Sequence, residues 1–263
     1  MARVGELRVQ LDPLNPGQFY ACCGVLELAG LEHRDVISRF ELEAGRPRVA
    51  WFHLVGVSDV FLGETLGRLR DAASSLSFAE GFEAGISPAT LAFGRHALEL
   101  DWWLDEFREK PTPLKCWAGQ VTTRKLFEEL LPLLDCDADG EDLLQRSRLT
   151  KSKFGVDPRA AWNARDFGYS PNEHGKDSAT FIAVEVLAAI GLQTFRPRLE
   201  RRRARYHLWT RELPVCVARN AANAVWNGLP SSAYQFSIGS RGQSYKFFRF
   251  GEPAVEKERG DES

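Results

Sequence analysis

The stretch FIAVEVLAAIGL, residues 181–192, carries a single charge and runs roughly a dozen residues, well short of the ~20 needed to cross a bilayer. So apolar a helix in a water-soluble chain has to be covered by the rest of the fold. A second segment, QFYACCGVLELAGLEH (18–33), has apolar residues at helical spacing and reads as another core helix. With 263 residues, 44% of them hydrophobic, the chain is long enough to bury one large core or two modest ones around these helices.

The remaining periodicity is mixed. ELRVQLD (6–12) alternates as a strand does, and RFELEAGRPRVAWFHLV (39–55) reads as a hairpin bent at Ala44-Gly45 and Pro47. DVFLGETLGRLRDAASSL (59–76) is amphipathic and helical, and GQVTTRKLFEELLPLLD (119–135) is a helix that Thr122 can cap. HALELDWWLDEF (96–107) returns to alternation, which sends Trp102 and Trp103 to opposite faces of a strand and so predicts that one leaves the core. ATFIAVEVLAAIGLQTF (179–195) is a helix, ARYHLWTREL (204–213) a strand, and SSAYQFSIGSRGQSYKFFRF (231–250) a terminal hairpin around a glycine loop. This order predicts a single α+β domain over 1–250, built from two β-α-β halves. From 149 to 178 the pattern disappears, yet Phe154, Trp162, Phe167 and Tyr169 argue for an ordered or binding-ordered insertion. Residues 251–263, GEPAVEKERGDES, read as an acidic mobile tail.

Charge is distributed unevenly. Residues 1–145 carry a net charge of −10, residues 146–250 of +11 and residues 251–263 of −3, within a chain whose formal net charge is only −2. The basic residues come in three clusters: Arg146, Arg148, Lys151 and Lys153; Arg196, Arg198, Arg201, Arg202, Arg203 and Arg205; and Arg241, Lys246 and Arg249. Such asymmetry inside a near-neutral protein fits a directed polyanion site. Five cysteines without a C-x-x-C spacing predict neither a disulfide framework nor a zinc site, and Cys22 and Cys23 read as small buried hydrophobes. Together with the absence of an apolar h-region at the start, this places the expected setting in the cytoplasm, without membrane contact.

The 149–178 insertion and the 237–250 loop combine glycine, cationic side chains and aromatic rings. Glycine admits phosphate oxygens to backbone N–H groups, Lys and Arg neutralise them, and rings stack on unpaired bases at ~1–3 kcal/mol each. SIGSRG is neither a Walker A loop nor a dinucleotide fingerprint. The histidines are scattered singly, with no metal-ligand spacing, so no metal or cofactor is expected.

Three motifs, NPGQFYACCGVLELAG, KSKFGVDPRAAWNARDFGYSPNEHG with TFIAVEVLAAIGLQTFRP, and FSIGSRGQSYKFFRFGE, together resemble a CRISPR-associated protein family of the minor type I-U/I-G subtype. The resemblance spans roughly residues 10–250. It implies a RAMP-superfamily-like protein with ferredoxin-like, RRM-type β-α-β halves and a glycine-rich loop that holds CRISPR RNA. The loop here departs from the longer superfamily pattern, with only Gly239, Gly242 and the later Gly251. The resemblance further implies a non-catalytic subunit of a Cascade-type antiviral interference complex, binding CRISPR RNA or the single-stranded target and contacting other CRISPR-associated subunits. Arg241, Lys246 and Arg249 would hold phosphates, Tyr245 or Phe247 would stack, and Lys151, Lys153, Arg159, Trp162 and Arg165 would form a thumb across the strand. Two alternatives stay open: a metal-independent endoribonuclease using His207 and Tyr206 on precursor CRISPR RNA, and a protein–protein adaptor anchored by an exposed tryptophan of the Trp102-Trp103 pair.

Overall fold

The computed structural model describes residues 5–117, 121–160, 178–223, 229–241 and 245–254, with only the backbone described for Arg241 and Tyr245. Trp162, Arg165 and Gly242 lie outside the described residues. The fold is α+β, 30% helical and 30% strand, with small antiparallel sheets and 5 helices among the described residues. None of these helices is long and apolar enough to cross a membrane.

Helix α1 (Pro16–Glu32) begins where its sequence says it should: Pro16 occupies the first turn, and the Asn15 side chain accepts from the Gln18 N–H at 3.2 Å. Every residue from Pro16 to Ala29 is buried, as a helix apolar on all sides requires. One flank packs on a sheet of order β1-β3-β2-β11, made of β1 (Gly5–Leu11), β2 (Ile37–Leu42), β3 (Ala50–Val57) and β11 (Leu213–Pro214). The hairpin of β2 and β3 turns at Gly45, and β1 pairs antiparallel with β3, so β1 and β2 run parallel with β3 between them. The outer edge of β1 is covered by an acidic turn, in which the Gly140 carbonyl accepts from the Gln10 N–H at 3.1 Å. Helix α2 (Phe61–Asp71) follows β3.

A second sheet has the order β13-β12-β10-β9, from β9 (Leu199–Glu200), β10 (Arg203–Trp209), β12 (Ser231–Arg241) and β13 (Tyr245–Phe248); β14 (Glu252–Pro253) also pairs with β12. Its inner face joins the first sheet through α1: Phe19 touches both Phe40 and Tyr206, and Trp209 packs edge-on against Phe40. The apolar segment 181–192 lies almost wholly in α4 (Ile182–Thr194), buried almost throughout against α1. The two helices meet through reciprocal glycines. A Cβ on Gly24 would sit 2.0 Å from the Leu187 carbonyl oxygen, and one on Gly191 2.0 Å from that of Tyr20. No other residue type permits this approach.

Smaller units surround this centre. Strands β4 (Ser77–Phe78), β5 (Ala89–Phe93) and β6 (His96–Leu100) form a three-stranded sheet. Helix α3 (Thr123–Leu130) is capped by Thr122, whose side chain accepts from the Lys125 N–H at 3.1 Å. Helix α5 (Val215–Ala221) lies beside β10 and β11.

Three expectations are corrected. Strand β6 ends at Leu100, and the chain turns at Asp101, where Gln193 Oε1 accepts from the N–H groups of Asp101 and Trp102. Both tryptophans are therefore fully buried, in a ring cluster with Trp117 and Phe154, and neither is an exposed anchor. The start of the supposed insertion is core: Phe154 and Val156 are fully buried, and β7 (Arg148–Thr150) pairs with β8 (Ser178–Thr180) to close its ends. The acidic tail begins as structure, because Glu252 and Pro253 add β14 to β12.

Candidate nucleic-acid interface

Strand alternation divides the second sheet into two faces. Tyr206, Tyr234, Phe236, Ile238 and Phe248 point inward; the Tyr206 and Tyr234 rings stack at 5.6 Å and Phe236 meets Phe248 at 4.8 Å. The opposite face carries Arg203 and Arg205 from β10, registered against Ser237 and Gln235 of β12. Both arginines are exposed. Arg249, just after β13, has its backbone N–H on the Ser237 carbonyl at 2.9 Å and is likewise exposed. None of the three guanidiniums is ion-paired among the described residues.

Gly239 explains how aromatic and cationic side chains share this surface. It registers against Phe247, and a Cβ there would lie 2.9 Å from two ring atoms of Phe247 and 2.8 Å from Arg249 Nε. The bare backbone lets the ring and the guanidinium cross the strand. Beside them is a pocket of about 140 Å³, lined by Arg203, Gln235, Ser237, Arg249, Phe250 and Glu252. Gln235 Nε2 donates to Glu252 Oε1 at 2.8 Å, and Phe250 is 43% exposed, with the Arg48 guanidinium 5.1 Å from its ring centroid.

The other half of the expected site is spent inside the fold. The backbones do converge: the Phe248 N–H donates to the Gly155 carbonyl at 3.0 Å, and the Lys246 N–H to the Cys116 carbonyl at 3.2 Å. The cations of the 151–159 segment do not reach an open surface together. Lys153 is largely buried, its ammonium donating to the Ala160 carbonyl and to Ser178 Oγ at 3.1 Å, and burial lowers its pKa. Arg159 pairs with the fully buried Asp157 carboxylate at 2.7 Å, donates to Gln145 and the Leu144 carbonyl, and lies 3.4 Å from the Phe181 centroid. Asp157 in turn accepts from the Asn15 side-chain amide at 3.0 Å, tying the segment to the start of α1. Glu185 of α4 accepts from the backbone N–H groups of Gly155 and Asp157 at 2.9 and 3.2 Å; burial, reinforced by Asp157, pushes its pKa up to about 7. Of this segment's expected contacts, Lys151 alone is exposed, its backbone N–H bonded to Glu129.

Elsewhere, Arg146 is paired with Asp135 and Asp142, Arg219 with Glu27, and half-buried Arg196 donates to the Leu104 carbonyl. Lys246 is partly buried near Lys115, whose pKa is lowered by its own burial and then by the Lys246 ammonium. Arg241 and Tyr245 are paired through their backbones at the end of the β12–β13 hairpin.

The supposed catalytic pair separates. Tyr206 is fully buried, its hydroxyl donating to the Pro13 carbonyl at 2.6 Å, whereas His207 leaves β10 on the other face, with Nδ1 3.3 Å from Ser231 Oγ. Adjacent strand residues cannot converge on one scissile phosphate.

Sequence reasoning missed Glu252, assigned to the tail, and left Arg203 and Arg205 as unassigned members of a basic run. A signal for the latter was present, because ARYHLW alternates and puts Arg203 and Arg205 on the face opposite Tyr206. The chain matches no protein family, no curated protein and no solved structure.

Proposed function

We propose that the protein is a non-catalytic subunit that binds single-stranded nucleic acid across the outward face of the β9–β10–β12–β13 sheet. One observation carries this reading: Arg203, Arg205 and Arg249 are exposed on one face and form no ion pair among the described residues, and Arg203 and Arg249 line a pocket with an aromatic wall. Exposed cations on a flat surface suit a chain of phosphates, and the exposed ring of Phe250 offers a stacking face for a base. The resemblance in the three sequence motifs favours CRISPR RNA, or the target strand, as the ligand within a type I-U/I-G interference complex, alongside other CRISPR-associated subunits. The endoribonuclease reading loses its acid–base pair to the two faces of β10, and the adaptor reading loses its tryptophan anchor to the core.

The test is fluorescence anisotropy of a labelled single-stranded RNA with the full chain. Salt-dependent binding that is lost on charge reversal in Arg203→Glu/Arg249→Glu is the expected result. Binding that is absent at low salt, or that survives the reversal unchanged, contradicts the proposal.

A further inference from the structure

We infer that the pocket between β10, β12 and β14 reads one guanine base of the bound strand, with Glu252 as the discriminating group. The inference rests on the nucleic-acid reading above and adds a base preference to it.

The polar groups of the pocket are of two kinds, held apart. Arg203 and Arg249 are donors only, whereas Glu252 is an acceptor; no ion pair joins them although they line the same cavity. Gln235 is registered against Glu252 in the β12–β14 pairing and commits its amide N–H to Glu252 Oε1 at 2.8 Å, which fixes the carboxylate and leaves Oε2 and the Gln235 carbonyl as acceptors. A ligand that satisfies all of them needs adjacent donors on one edge and adjacent acceptors on another. Guanine has both: N1–H and N2–H₂ for the carboxylate, O6 and N7 for a guanidinium. Adenine and cytosine each offer a single exocyclic amino group beside ring acceptors, which would set lone pairs against the Glu252 carboxylate. Uracil offers one N–H between two carbonyls.

Apolar features fit the same occupant. Phe250 supplies a flat, partly exposed wall stiffened by the Arg48 guanidinium, which is itself held by Asp12 at 2.5 Å. The cavity, about 140 Å³, suits one planar base and not a folded side chain or a helix. Three of its lining residues, Gln235, Phe236 and Ser237, are consecutive on β12 within the β10–β12 ladder, so the reading groups are positioned before the ligand arrives.

The experiment measures binding of the full chain to short oligouridines that carry one guanosine, one adenosine, one cytidine or no substitution. A preference of roughly tenfold for the guanosine probe is expected, the discrimination of one bidentate contact. Glu252→Gln should abolish the preference while raising the affinity for plain oligouridine, since it removes a negative charge beside the phosphate-binding Arg203 and Arg249. Arg205→Ala should weaken all four probes alike. Four equal affinities, or a guanosine preference that survives Glu252→Gln, overturn the inference and leave the sheet-face reading standing. Failure of every probe to bind overturns both.

Discussion

Two basic segments of similar composition meet opposite fates in this fold. In the 151–159 segment, Lys153 and Arg159 are turned inward onto carbonyls and the Asp157 carboxylate, where they fasten the segment to the start of α1 and to Glu185 of α4. On β10 and beyond β13, Arg203, Arg205 and Arg249 stand exposed on a regular sheet face, and none of them forms an ion pair among the described residues, although Glu200 is registered opposite Arg203. The difference comes from backbone type. A strand sends alternate side chains to opposite faces whatever their chemistry, so its outward cations stay in solvent. An irregular segment packed in a core has unpaired backbone and carboxylate groups to satisfy and draws its own cations in to do so. Basic residues in a loop are therefore weaker indicators of a polyanion site than the same residues at period two in a strand.

The contrast is breakable. Arg159→Ala leaves the fully buried Asp157 carboxylate without its counter-ion, and a loss of about 3 kcal/mol is expected in urea unfolding, visible as a lower midpoint. RNA affinity of the folded variant should be unchanged. Next in size is the pH response of Glu185. Its folded pKa of about 7 lies above the ordinary carboxylate value of 4.5, so the stability it contributes is full below 4.5 and lost as pH rises through about 7. The swing is roughly 3 kcal/mol at most. Thermal melts between pH 5 and pH 8 should show stability falling with pH, and Glu185→Gln should flatten that fall. Arg203→Ala reverses the pattern: stability within about 0.5 kcal/mol of the parent, with a measurable loss of RNA affinity. The smallest effect is expected from Lys151→Ala, whose exposed side chain has no packing role; both unfolding midpoint and RNA affinity should stay near the parent values.

The same division accounts for what could be read in the sequence. Helices α1 and α4 were legible because nearly uninterrupted apolar runs must be buried, and α3 because Thr122 stands where a capping oxygen is needed. The β2–β3 and β12–β13 hairpins were legible from alternation broken by glycine. The burial of both Trp102 and Trp103 was not, since it depends on Gln193, far along the chain, capturing two backbone N–H groups and ending β6 early. Nor was the fate of Lys153 and Arg159, set by contacts with Ala160, Ser178 and Asp157 that have no periodic signature. Glu252 was hidden by its acidic surroundings: Gly251-Glu252-Pro253 resembles the start of a solvated tail, although proline at position 253 is compatible with an edge strand such as β14.

The most direct measurement is the salt dependence of single-stranded RNA binding by the parent chain and by Arg203→Ala/Arg205→Ala/Arg249→Ala. Each phosphate contact on a single strand contributes about 0.7 to the slope of log affinity against log salt, so the triple variant should lose about 2 units of slope. A slope that stays the same in the triple variant contradicts the claim that these sheet-borne guanidiniums form the binding surface.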